Sequence, residues 1–128
     1  MPAPLITIVD DDDSMRASLD NLLRSVGFRA QAFPSAESFL HAGPGLDTAC
    51  LILDVRMPGM SGLELQQHLE ASRSRVPIIF VTSHIDDHVR TRALDAGAVA
   101  FLYKPFREEE LLDAIDGVLM KQPEGGGS

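Results

Sequence analysis

The stretch Cys50-Leu-Ile-Leu-Asp54-Val-Arg-Met-Pro-Gly-Met-Ser61-Gly62 reads as a strand that ends on a carboxylate and then, from Ser61, turns into a helix. Its apolar run has no polar alternation, so it predicts a strand covered on both faces, as in a parallel sheet. The same pattern repeats outward. Leu5 to Val9, Phe28 to Phe33, Ile78 to Val81 and Val99 to Tyr103 are further strand-length apolar runs. Between and after them lie helical segments. Met15, Leu19, Leu22, Leu23 and Val26 recur at helical spacing, with Gly27 placed as a C-cap residue. Ser35 to His41 opens on a Ser N-cap, Ser61 to Ala71 carries Leu63, Leu65 and Leu69, and Asp86 to Ala96 stops at Gly97. Arg107 to Met120 presents Leu111, Leu112, Ile115, Val118 and Leu119 as its buried stripe. The expected architecture is α/β, a doubly wound (βα)5 three-layer sandwich around a five-stranded parallel sheet.

With 128 residues the chain holds one domain. Residues 1–121 form it, and the Gly-rich segment 122–128 reads as a flexible tail or linker. Hydrophobic residues at 45% and charged residues at 23% fit an ordinary globular protein and exclude disordered or fibrous classes. A formal charge of −8 has the wrong sign for gripping a phosphate backbone, so no direct nucleic-acid binding by this chain is expected. Cys50 stands alone, which rules out an intramolecular disulfide or a thiolate cluster and fits a reducing compartment. The first apolar run is too short for a signal sequence or a membrane span. A cytoplasmic protein with no membrane association is expected.

Chemistry collects at the carboxyl ends of strands: Asp10 to Asp13, Asp54, Thr82-Ser83 and Lys104. In open parallel sheets that edge binds ligands where the strand order reverses, so these residues converge on one crevice. With strands about 4.8 Å apart, Asp54 faces the acidic loop while Lys104 reaches across from the far side. Acids at a helix start also cap it and complement its dipole, for about 0.3 to 1 kcal/mol each. One or two aspartates suffice for that, and Asp13 is the one most suited to be only a cap or a solvated acid. Two carboxylates about 5 Å apart repel by about 3 kcal/mol at an effective dielectric of 20, more than capping returns. A divalent cation offsets that cost, and hard carboxylate oxygens suit Mg2+.

The ordered phrases "VDDDDSMR", "ILDVRMPGMSG", "FVTSH" and "AGAVAFLYKPF" resemble the receiver domain of two-component response regulators, over about Leu5 to Met120. They look most like the FixJ-like subgroup, whose members usually add a DNA-binding output domain. The resemblance implies a flavodoxin-like strand order 2-1-3-4-5 and a signalling switch rather than a metabolic enzyme. It implies Asp54 as phosphoacceptor for a sensor histidine kinase or a small acyl phosphate. It also implies a Mg2+ site, able to take Mn2+, with Asp11, Asp54 and the backbone carbonyl of Arg56 as direct ligands and Asp10 acting through water. By the same resemblance Thr82 and Lys104 hold phosphoryl oxygens, and Thr82 with Phe101 forms the switch. Arg56 and His84 border the path of water to phosphorus and modulate phosphoryl lifetime, and Lys104-Pro105 is a cis bond. The partner face, for an output domain or second receiver, runs from the fourth helix to the fifth strand.

Two other functions compete. Asp10-Asp-Asp12 after an apolar strand mimics the D-x-D nucleophile of haloacid-dehalogenase-type phosphohydrolases, with Asp10 as the nucleophile. The chain is short for that fold with its usual cap, and Ser14 stands where Thr or Val is typical. A phosphorylation-independent binding module is the other alternative, although every matched site residue is present. The remaining residues have plainer roles. Cys50 is a buried small hydrophobe, Phe101 also suits the core, and Tyr103 shares its sheet face. His84 and His88 are spaced for zinc, but the first precedes the helix.

Overall fold

A computed structural model describes residues 3–42 and 47–120; the tail 122–128 lies outside the described residues. The elements alternate as β1 (Leu5–Val9), α1 (Asp13–Ser25), β2 (Arg29–Phe33), α2 (Ala36–Ala42), β3 (Thr48–Asp54), α3 (Gly62–Ala71), β4 (Ile78–Thr82), α4 (Asp87–Asp95), β5 (Ala100–Tyr103) and α5 (Glu108–Met120). All strand pairs are parallel, in the order β2-β1-β3-β4-β5. β1, β3 and β4 lie inside the sheet, and they are the strands whose sequences lack polar alternation. The edge strand β2 alternates between exposed and covered positions, and β5 is half-buried throughout.

Alternate residues of the inner strands feed two cores. Leu51, Leu53 and Phe80 pack with Phe39 of α2, Leu65 and Leu69 of α3 and Ala93 of α4. Ile52, Ile79 and Val81 pack with Leu19 and Leu23 of α1 and Leu111, Ile115 and Val118 of α5. Each such fully buried Leu, Ile or Phe contributes about 1.5 to 3 kcal/mol of transfer free energy. The result is the expected three-layer sandwich.

Local differences from the sequence reading have clear causes. β3 begins at Thr48 because Thr48 pairs with Leu5 and its hydroxyl meets that of Thr7 at 2.8 Å, so the polar start of the strand is satisfied inside the sheet. Val26 leaves the buried stripe of α1 and is 48% exposed, since the helix stops at Ser25 and the chain turns at Gly27, φ +99°. In α5, Leu112 and Leu119 are half-buried, because the sheet-facing line is Leu111, Ile115 and Val118. Ser35 caps α2 as expected; Ser61 and Asp86 cap α3 and α4, and Ser61 forms a full capping box with Glu64.

One glycine decides how α3 leaves the crevice. The Gly62 N–H donates to the Val55 carbonyl at 2.8 Å, and a Cβ at Gly62 would lie 2.2 Å from the carbonyl oxygen of Asp54. Only a residue without a side chain lets α3 start there. Gly117 of α5 has nothing within 4 Å of its would-be Cβ. Gly62→Ala should therefore destabilise the domain by about 3 kcal/mol, whereas Gly117→Ala should stabilise it by about 0.5 to 1 kcal/mol. Urea denaturation midpoints of the two variants check both signs.

Candidate functional site

Strand order reverses between β1 and β3, so the carboxyl ends of these strands open the crevice expected of a doubly wound sheet. Asp10 follows β1 and Asp54 ends β3. Asp10 is fully buried; its carboxylate accepts the Asp12 N–H at 2.9 Å and the Lys104 ammonium at 2.8 Å. Lys104 follows β5 and also lies 3.7 Å from Asp54 Oδ2, so one ammonium serves two carboxylates. Asp54 is itself buried and accepts a long hydrogen bond from the Arg56 N–H at 3.4 Å. Carboxylate oxygens of Asp10, Asp11 and Asp54 all lie within 4.8 Å of one another, and Asp11 is exposed at the mouth.

The electrostatics follow from that packing. Burial pushes the Asp54 carboxyl up to about 6, and the neighbouring charges of Asp10 and Asp11 add to the rise. Lys104 and the Arg56 N–H oppose it without cancelling it. Burial alone would lower the Lys104 ammonium, but the hydrogen bond and charge of Asp10, with Asp54 and Asp12 behind, hold it above its usual value. Two acidic side chains therefore share one lysine while a third, Asp11, stands at the mouth, and the donor set is all oxygen, which fits a hard divalent cation such as Mg2+.

The other acids of the first loop divide the cap and the solvated role between them, and Asp13 takes the solvated one. Asp12 is the N-cap of α1, accepting the N–H groups of Ser14 and Met15, while Asp13 is exposed and pairs with Arg16 on the surface. A cap needs an extended backbone one step before the helix, and Asp12 is the residue that has it. Arg16 also donates to the Asp10 carbonyl at 2.8 Å, a tie that sequence patterning did not flag.

Thr82 ends β4, is buried, and accepts the His84 N–H at 3.1 Å; its carbonyl accepts the Lys104 N–H at 2.7 Å. The Arg56 and His84 side chains are exposed beside these strand ends. Phe101 sits against Phe80, with ring centroids 5.8 Å apart, and meets Tyr103 edge-on at 5.5 Å, so Phe101 and Tyr103 do share a face. The Lys104–Pro105 bond is cis. Cys50 is fully buried and its thiol is pushed up to about 12 by burial, as befits a packing residue.

Glu37 is the residue that sequence reasoning missed. Its carboxylate reaches from α2 to accept the Met60 N–H at 2.8 Å, beside Gly59 at φ +76°. A side chain on Gly59 would collide with that carboxylate. The loop between Asp54 and α3 is thereby pinned at Met60 as well as at Gly62. No local pattern connects positions 37 and 60, so only the fold reveals the pair.

Comparison with known proteins assigns this geometry. Residues 6–116 match the response regulator receiver domain, and the chain belongs to that family. Nodulation protein W of Bradyrhizobium diazoefficiens is 50% identical over 111 residues, covering 87% of this chain and 49% of that protein. Response regulator protein TodT of Pseudomonas putida is 46% identical over 122 residues, covering 95% of this chain and 54% of that one. The crystal structure of full-length FixJ from B. japonicum superposes with a TM-score of 0.89 at 40% identity, over 98% of this chain and 62% of that one. These relatives support the FixJ-like subgroup within the family. The chain spans about half the length of the curated relatives it matches. Among the described residues no helix is long and apolar enough to cross a membrane.

The raised Asp54 carboxyl sets a pH dependence. A carboxyl whose folded value lies above its unfolded one favours folding when protonated, so its charge opposes folding above about 6 and ceases to do so as pH falls below the unfolded value. Without divalent cations, Asp54→Asn should raise the melting temperature at pH 7.5 by several degrees. That corresponds to about 1 to 2 kcal/mol after solvent screening at the crevice mouth. The gap between variant and wild type should shrink as pH is lowered from 7 toward 4, which thermal melts across that range will show.

Proposed function

We propose that this receiver domain takes a phosphoryl group onto the Asp54 carboxylate from the phosphohistidine of a sensor histidine kinase, or from a small acyl phosphate, in a Mg2+-dependent reaction. The observation that carries the proposal is the Lys104 ammonium held between Asp10 and Asp54 in a crevice rimmed by a third carboxylate. The Asp54 oxygen forms the new O–P bond as the donor's P–N bond breaks, and the kinase imidazole keeps the electron pair and takes a proton. An ionised carboxylate needs no general base for this step. It needs relief from repulsion by the incoming anion, and Lys104, 3.7 Å away, supplies part of it. Asp11, Asp54 and the Arg56 carbonyl would hold the cation, with Asp10 beside them. Mg2+ supplies neutralisation of charge on the transferred group.

Two observations favour Asp54 over Asp10 as the acceptor. Asp10 is fully buried and its carboxylate is already engaged by Lys104 and the Asp12 N–H, whereas Asp54 retains only the long Arg56 contact and the more distant lysine. The haloacid-dehalogenase-type alternative needs Asp10 free to attack. In our reading Thr82 donates to the phosphoryl group, and Arg56 and His84 flank the approach of water. Phe101 responds to Thr82, and the α4–β5 face meets an output domain or second receiver. The absent half of the curated relatives is where such an output domain would lie.

Acetyl phosphate with Mg2+ should add one phosphoryl group to the wild-type protein and none to Asp54→Asn, read by intact-mass spectrometry. Asp54→Asn labelled as fully as wild type would refute the acceptor. Mg2+ should also raise the wild-type melting temperature, and Asp11→Asn should remove most of that rise.

A further inference from the structure

Tyr103 carries a hydroxyl that the mechanism above does not use, and its placement is unusual. The Tyr103 oxygen is buried and finds no hydrogen-bond partner among the described residues; it is the sole side-chain atom of that kind among them. A buried hydroxyl left without a partner is disfavoured, so most native phenols of this kind are bonded. The ring lies on the face of the sheet that also carries Phe80 and Phe101. In the β4–β5 register Thr82 stands opposite Tyr103, and Phe80 opposite Phe101. The immediate cross-strand neighbour of Thr82 is therefore Tyr103, and Phe101 is one step further along. The Lys104 N–H, next in the chain, donates to the Thr82 carbonyl, which fixes that register at the crevice.

We infer that Tyr103 is a positioning residue that couples Thr82 to Phe101, and that its partnerless hydroxyl biases the domain toward the phosphorylated conformation. The inference rests on the phosphoacceptor reading of Asp54. In the conformation described here the edge of one aromatic ring abuts the other while the phenol oxygen goes unbonded. Movement of Thr82 toward a phosphoryl group changes the packing directly beside Tyr103. The two rings can then separate, and the hydroxyl gains a partner that the first conformation denies it. The cost sits in the unphosphorylated state and is released in the other, so it favours the switch by linkage. Phe101 itself has no hydroxyl, so Tyr103 supplies the polar group that the ring pair otherwise lacks.

Tyr103 is the only tyrosine and the chain has no tryptophan, so a single probe reports on it. Protein carrying 3-fluorotyrosine should give one 19F resonance. It should shift on addition of beryllofluoride with Mg2+ to wild type, and the shift should be lost in Thr82→Ala. In unlabelled protein, Tyr103→Phe should raise the melting temperature of the unliganded domain and weaken beryllofluoride binding about three- to tenfold, measured by the ligand dependence of melting. Wild type that ignores beryllofluoride would overturn the Asp54 reading itself. A wild type that responds, with Tyr103→Phe binding as tightly as wild type or melting no higher, would overturn the role of Tyr103 alone. The same holds for a fluorotyrosine signal that does not move.

Discussion

The crevice depends on one lysine shared by two carboxylates. Lys104 touches Asp10 at 2.8 Å and stands 3.7 Å from Asp54, in a place where burial already works against the charge of Asp54. With Asp11 at the rim, the site holds more negative charge than one ammonium can neutralise. A fold optimised only for stability would replace one of these acids. Keeping them stores an unfavourable interaction that a cation, or the removal of a charge, can relieve. A carboxyl raised by burial and by neighbouring acids in a cleft, as Asp54 is, marks a candidate working site.

The scaffold earns that concentration of charge through backbone placement. Asp10, Asp54 and Lys104 lie at the ends of separate strands, and the register of the sheet brings those ends together. The loop after Asp54 is then fixed from outside. Glu37 holds the Met60 N–H, Gly62 admits the start of α3 against the Asp54 carbonyl, and the capping box begins the helix at once. The Arg56 backbone thus stays beside Asp54, where the proposed cation site needs its carbonyl.

Much of this was legible in the sequence for a physical reason. Strands buried on both faces write uninterrupted apolar runs, and helices that pack one side write a periodic stripe, so the (βα)5 pattern showed through. The polar residues at strand ends were visible because they interrupt those runs abruptly, and their order along the chain carried the family resemblance. What stayed hidden depends on contacts between distant segments or on single backbone angles. Thr48 looked like loop until Thr7 supplied its partner, and which of the loop acids caps α1 was open until the extended backbone of Asp12 decided it, leaving Asp13 as the solvated acid. The Glu37 to Met60 bond leaves no periodic trace, and the partnerless hydroxyl of Tyr103 is a property of packing alone.

The alternation of the strands also separates chemistry from its proposed response. Ile52 and Leu102 point to the α1 and α5 side of the sheet, and counting on by two reaches Asp54 and Lys104. Phe80 and Phe101 point to the α2, α3 and α4 side, and the same count reaches Thr82 and Tyr103. Asp54 and Lys104 are therefore built on one face of the sheet and Thr82 and Tyr103 on the other, with Tyr103 and Lys104 adjacent in the chain. They are joined at the strand ends, where the Lys104 N–H meets the Thr82 carbonyl at 2.7 Å. In the proposed response a change at Asp54 would reach the α4 side through Thr82 and this ladder bond, and the ring that moves, Phe101, lies at the margin of the α2–α4 core rather than within it. Densely packed cores resist gradual deformation, so a short route along the sheet edge is the one this architecture leaves open.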